Sequence, residues 1–245
     1  VLLQAIQAGQ LPCIPVLARF LTAGTLGLML CLAGPHNTFA IQEEIENGRR
    51  IALQGTKEVR CARCHGKLGQ GDGSEGHPRI GGQSRFYLQK QLEDFASGTR
   101  PSEEMVPVAR VLTEKQRAAV AAYYASIKNT PYPPRPEGEP RLLQQGGILS
   151  AIGSDKRSIR ACALCHATAG AGIPPSYPYL AGQFASYTER QLQLWKRGLR
   201  QNDSLELMAE IAKKLSDEEI RGLALYFARV RLPAKRINSL TEYEP

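Results

Sequence analysis

Apolar positions recur with helical spacing along most of this chain. Behind Thr113-x-x-Gln116, the residues Val120, Ala121, Tyr124 and Ile127 fall at i, i+1, i+4 and i+7. Behind Ser216-x-x-Glu219, the residues Leu223, Ala224, Phe227 and Val230 repeat that spacing. Each set is one face of a helix that opens with a capping box. Leu88, Leu92 and Phe95 ahead of Gly98 predict a further helix closed by glycine, and Tyr187 to Trp195 ahead of Gly198 predict its counterpart. Helices are also expected over 42–53 and 141–151. No alternating run is long enough for a sheet, so the pattern predicts an all-α protein whose Gly- and Pro-rich loops, 66–82 and 170–182, need support from outside their own side chains.

One stretch departs from this periodicity. Arg19 is the sole charge in the first 40 residues, and it precedes an uncharged, mostly apolar run from Phe20 to Gly34 and then Thr38-Phe39-Ala40. This is the pattern of an export signal with a small residue at its cleavage site, so residues 1–40 are expected to be a signal peptide. The alternative is an uncleaved N-terminal anchor, although the 15-residue run is shorter than the ~20 residues a bilayer span needs. Cys13 and Cys31 are expected to leave with the signal. The remaining chain holds 30 basic and 23 acidic side chains, interleaved without a Lys/Arg block. That is a mildly cationic surface and argues against a nucleic-acid partner.

Self-comparison resolves the domain organisation. Cys61-Ala62-Arg63-Cys64-His65 recurs 101 residues later as Cys162-Ala163-Leu164-Cys165-His166. Gly82-Gln83, Tyr87, Gln91-Leu92, Phe95, Gly98 and Arg100 recur at an offset of 100, with Trp195 in place of Phe95. Met105 and Leu112 recur as Met208 and Leu215 at an offset of 103. Four prolines in the seven residues 130–136 read as a stiff, extended connection. The expected boundaries are 41–129 for the first domain, 130–140 for the linker, 141–232 for the second domain and 233–245 for a tail with no counterpart in the repeat.

Cys-x-x-Cys-His is the pattern that attaches c-type haem: two thiols add across the porphyrin vinyl groups and the adjacent histidine binds iron. A zinc knuckle would draw all four cysteines into one cluster, a redox pair expects a βαβ setting, and a structural disulfide would leave each histidine unexplained. Cys61, Cys64, Cys162 and Cys165 are therefore the expected thioether residues of two covalently bound haem c groups, with His65 and His166 as axial ligands. Of three methionines, Met29 lies in the export segment, which leaves Met105 and Met208 as the expected sixth ligands, 40 and 42 residues past their histidines. Of four histidines, His36 lies in the same segment, and His77, beside Pro78 in a Gly-rich loop, reads as a solvated loop residue. Two irons closed by His/Met ligation have no open position for a substrate. This describes an electron-transfer protein with no catalytic residues, and it weighs against a dihaem peroxidase.

With these residues in view, the sequence resembles the dihaem class I cytochromes c of the cytochrome c4 family across about 45–231, including the loops Pro78-Arg79-Ile80-Gly81-Gly82-Gln83 and Pro178-Tyr179-Leu180-Ala181-Gly182-Gln183. The resemblance implies two tandem cytochrome c domains facing one another across a pseudo-two-fold interface. It also implies an exported, periplasmic protein, soluble or loosely attached to the membrane. Electrons would pass from a quinol:cytochrome c oxidoreductase to a terminal oxidase. The alternative is a cytochrome subunit of a dehydrogenase complex, such as one for flavin-dependent sulfide oxidation. Gly81 against Ala181 and the tail after Pro233 depart from the repeat, and they bear on partner surfaces rather than on the haem sites.

Overall fold

The computed structural model describes residues 36–55 and 59–233. Residues 1–35, with Cys13, Met29, Cys31 and most of the expected signal peptide, lie outside them, as does the tail from 234 onward. Ten α-helices are present among the described residues, with isolated β-bridges and no strand. In the first half these are α1 (His36–Gln54), α2 (Ala62–His65), α3 (Arg85–Ser97), α4 (Met105–Arg110) and α5 (Glu114–Ala125). The second half repeats them as α6 (Pro140–Ile152), α7 (Ala163–His166), α8 (Ala185–Lys196), α9 (Leu207–Lys214) and α10 (Asp217–Arg229). The expected helices are all found, and α1 and α8 begin earlier than the pattern indicated. The first turn of α1 lies within the segment 1–40 expected to be the signal peptide.

Local signals account for the helix ends. The capping boxes form as read: Thr113 and Ser216 each accept from the third backbone N–H of their helix, and Gln116 and Glu219 reach back to the cap. Gly98 closes α3 at φ 85°, a left-handed conformation that costs glycine little. In each half the first helix crosses the last. Ile45, Ile51 and Leu53 of α1 pack on a cluster of Ala52, Val120, Tyr123 and Tyr124. In the second half Leu149 of α6 joins Ile220, Leu223 and Phe227 of α10.

Glycine sets both crossings. A Cβ on Gly48 would lie 1.9 Å from the Ala119 carbonyl oxygen, and a Cβ on Gly146 would lie 2.1 Å from that of Gly222. Both obstacles are backbone, which cannot rotate aside. Gly146→Ala is expected to force α6 and α10 apart and lower stability by about 1–3 kcal/mol, despite alanine's better helix propensity. A denaturant midpoint equal to or above that of the parent would show that this crossing is not close-packed.

The stretch 130–139 forms neither helix nor strand, and it is fastened along its length. The buried Arg79 guanidinium donates to the carbonyls of Thr130 (2.9 Å) and Pro131 (3.2 Å). Tyr132 lies between Arg79 and Arg231, 4.4 and 4.7 Å from its ring centre. Arg231 and Arg229 hold the Pro133 and Pro136 carbonyls at 2.6 and 2.7 Å. The connection therefore ties Arg79 of the first half to the chain end of the second.

Candidate haem sites

The one-turn helices α2 and α7 carry the two Cys-x-x-Cys-His motifs. The His65 N–H bonds to the Cys61 carbonyl at 2.9 Å and the His166 N–H to that of Cys162 at 2.8 Å, so both thiols and the imidazole emerge within one turn. The chain then leaves through positive φ, at Gly66 (75°) and Ala167 (58°). Each imidazole is buried and shares its Nδ1 proton with a proline carbonyl: His65 with Pro78 at 3.0 Å, and His166 with Pro178 at 2.8 Å. That bond selects the tautomer whose Nε2 is free to ligate. Burial holds both imidazole pKa values below the ordinary range, against the pull of the proline carbonyl, and His77 adds to the lowering at His65. None of the four cysteines is paired in a disulfide, and burial pushes the Cys61 and Cys162 thiols up to about 11.

Met105 opens α4 and Met208 lies in the first turn of α9, and each backbone N–H is anchored by a side chain just upstream. Ser102 Oγ accepts from Met105 at 3.1 Å, and Asp203 Oδ2 accepts from Met208 at 2.7 Å. In the second half Cys162, Cys165, His166 and Met208 line one cavity of about 410 Å³, walled by apolar side chains such as Leu192 and Phe227. The cavity extends to Pro78, Ile80 and Leu88 of the first half. The first set follows the same backbone plan: Gly71 and Gly172 bond back to their histidine carbonyls, and Gly82 and Gly182 bond to Tyr124 and Phe227. Met105 is half-buried at the repeat position of Met208. His77 is half-buried rather than solvated, its ring edge-on to His65 at 6.2 Å, and Tyr177 stands likewise to His166 at 6.3 Å.

Sequence reasoning missed a buried polar cluster between the halves. Arg100 donates to Gln91 (2.7 Å), Gln191 (3.0 Å) and the Tyr187 hydroxyl (2.8 Å). Arg200 donates to Gln191 (2.6 Å), Gln91 (3.1 Å) and Asn202 (2.8 Å). Both guanidiniums are at most 5% exposed, and only neutral atoms accept their hydrogen bonds. Burial and then the Arg100 charge hold the Arg200 pKa below its ordinary value. The signal that would have found the cluster was present, because Gln91, Arg100, Gln191 and Arg200 are identities of the repeat.

These residues fit haem c. The donor set is two thiols, an imidazole with a free Nε2 and a thioether, beside an apolar wall suited to a macrocycle. Undercompensated Arg200 and the Trp195 indole N–H, which is buried with no protein partner, lie on that same wall and suit carboxylates such as a haem carries. Among the described residues no group of three His, Cys, Asp or Glu side chains is placed to hold a metal ion. No helix among them is long and apolar enough to cross a membrane.

Paired helical halves, each built around a Cys-x-x-Cys-His turn, define the class: tandem c-type cytochromes. Residues 45–128 match the family model for cytochrome c, and 156–227 match that for cytochrome c oxidase, cbb3-type, subunit III. The crystal structure of reduced cytochrome c4 from Pseudomonas stutzeri superposes with a TM-score of 0.68 at 30% identity, over 76% of this chain and 98% of that one. The chain belongs to the cytochrome c4 family. It is also 37% identical over 199 residues to the thiosulfate dehydrogenase electron acceptor of Stutzerimonas stutzeri, 78% of this chain and 89% of that protein. The thiosulfate dehydrogenase TsdBA of Marichromatium purpuratum matches with a TM-score of 0.69 at 36% identity; 76% of this chain is covered, spanning 40% of that one.

Proposed function

We propose that this cytochrome is an exported, periplasmic carrier that accepts electrons from a thiosulfate-oxidising dehydrogenase and delivers them to a terminal oxidase. The observation that carries the dehydrogenase is the likeness to a thiosulfate dehydrogenase electron acceptor over 78% of the chain. In this reading 41–129 and 141–232 are the two haem domains, joined by 130–140, and residues 1–40 direct export. Cys61 and Cys64, and Cys162 and Cys165, hold the two haems as thioethers; His65 with Met105, and His166 with Met208, are the axial ligands. Bound there, each haem iron takes up and releases one electron. The chain's part is to keep that iron six-coordinate, with the imidazole fixed by its proline carbonyl and the methionine by its anchored helix start. Fixed ligands reduce the reorganisation that accompanies each electron. The second reading, a carrier from a quinol:cytochrome c oxidoreductase to the oxidase, is what the resemblance to the cytochrome c4 family implies.

Two measurements test this. Haem content and the visible spectrum of the reduced protein, with and without carbon monoxide, are expected to give two haems per chain and no spectral change; a shift in half the absorbance would overturn the ligand assignment. Reduction by a purified thiosulfate dehydrogenase with thiosulfate is expected to outpace reduction by a quinol:cytochrome c oxidoreductase; the reverse order would favour the second reading. Because residues 41–245 carry 30 basic against 23 acidic side chains, an excess offset in part by haem carboxylates, the faster reaction is expected to slow steeply with salt. A flat salt response would exclude electrostatic steering.

A further inference from the structure

Gln83 and Gln183, equivalent in the repeat, are both buried, and each reaches across the interface to the other half. Gln183 Oε1 accepts the Arg79 N–H at 2.9 Å while its Nε2 donates to the Arg79 carbonyl at 2.8 Å. Gln83 Oε1 accepts the Tyr179 N–H at 3.1 Å while its Nε2 donates to the Tyr179 carbonyl at 3.2 Å. Each side-chain amide thus grips one residue of the opposite half by both its backbone groups. Each glutamine oxygen also accepts the next N–H of its own chain, from Ser84 or Phe184, which fixes the amide at the start of α3 or α8.

The gripped residues directly follow the prolines that hold the imidazoles. The Pro78 carbonyl and the Arg79 N–H belong to one peptide unit, so an unbroken chain runs from His65 Nδ1–H to the Pro78 carbonyl, through that peptide to the Arg79 N–H, and on to Gln183 Oε1. Its mirror runs from His166 through Pro178 and Tyr179 to Gln83 Oε1. Hydrogen bonds in series polarise one another. An acceptor on the N–H side enriches the carbonyl oxygen at the other end, which strengthens the bond from the imidazole and makes that imidazole a more basic ligand.

We propose that Gln83 and Gln183 are crossed positioning residues: each tunes the iron site of the opposite half through the peptide that holds its proximal histidine. The proposal rests on the assignment of His65 and His166 as axial ligands. A more basic imidazole favours ferric iron, so the intact chain lowers the potential of the opposite haem, and its loss raises it.

The test is spectroelectrochemical titration of the dihaem protein, first in the parent, where two haems and a methionine–iron charge-transfer band verify the ligand assignment independently of the glutamines. Met105→His marks the first-half haem by displacing its potential. In Gln183→Leu the first-half potential is expected to rise, changing its oxidised-to-reduced ratio about threefold to tenfold, with the second-half potential little changed; Gln83→Leu is expected to do the converse. Equal shifts of both haems, a shift confined to the variant's own half, or none would overturn the proposal. Should Gln183→Leu fail to load haem, Gln183→Glu keeps an oxygen on the Arg79 N–H. It is expected to lower the first-half potential more than the second, and a rise there would overturn the proposal.

Discussion

The quadruple variant with Cys61, Cys64, Cys162 and Cys165 changed to alanine is expected to show no cooperative thermal transition. Each half is about 90 residues, a size at which a single core is marginal. In the first half the buried apolar set leans on small residues, with Ala52, Ala109, Ala119, Ala121 and Ala122 beside Val120, Tyr123 and Tyr124. In the second half Leu192, Leu215, Leu223 and Phe227 belong at once to the buried cluster and to the cavity wall that Cys162 and His166 share. A covalently held macrocycle is then part of the core, and the thioethers keep it there through unfolding and refolding. Without attachment the protein trades that apolar contact for exposed wall, at roughly 25 cal/mol per Å². Differential scanning calorimetry and near-ultraviolet circular dichroism would show a broad, non-cooperative loss; a sharp melt in the haem-free variant would mean that each half folds on its own side chains.

Met208→Ala is expected to open one iron and Met105→Ala the other. A reduced single variant should bind carbon monoxide with a shift in about half the haem absorbance, and the double variant with a shift in nearly all of it. The opened site is also expected to fall in potential by more than 59 mV, a factor of ten for one electron, because the thioether that favours ferrous iron is gone. The global fold should persist, since Met208 is only half-buried at the edge of its cluster and the start of α9 keeps its anchor on Asp203. A variant that stays closed to carbon monoxide, its potential unmoved, would place the sixth ligand elsewhere.

Much of the architecture was legible because its signals are local. A capping box, a glycine after an apolar stripe and a Cys-x-x-Cys-His turn are decided within a few residues, and Thr113, Ser216, Gly98 and α2 lie where those signals put them. The polar identities of the repeat were visible but unexplained. Gln83, Gln91 and Arg100 match Gln183, Gln191 and Arg200 because a pseudo-two-fold interface sets each residue against its counterpart or the counterpart's neighbour, so the same chemistry must stand on both sides. Aromatic partners were less legible: the repeat sets Tyr177 at the position of His77, but the unlike residue types gave no sign that both rings stand edge-on to the histidine of their half, which only the shape of the loop decides.

The sequence by itself determined the class of fold and the two-fold repeat, and it proposed the residues for the haems, because covalent attachment and helix capping depend on short-range spacing along the chain. Only the tertiary structure decided how the halves address one another: the burial of Arg100 and Arg200 among neutral acceptors, the fastening of 130–139 onto Arg79 and Arg231, and the crossed glutamine contacts on Arg79 and Tyr179, next to the prolines that hold His65 and His166. The contacts that cross between the halves, together with the hold of Arg79 on Thr130, join residues about 50 to 110 positions apart. Their partners are chosen by the orientation in which two similar surfaces meet, and no window of sequence contains that orientation.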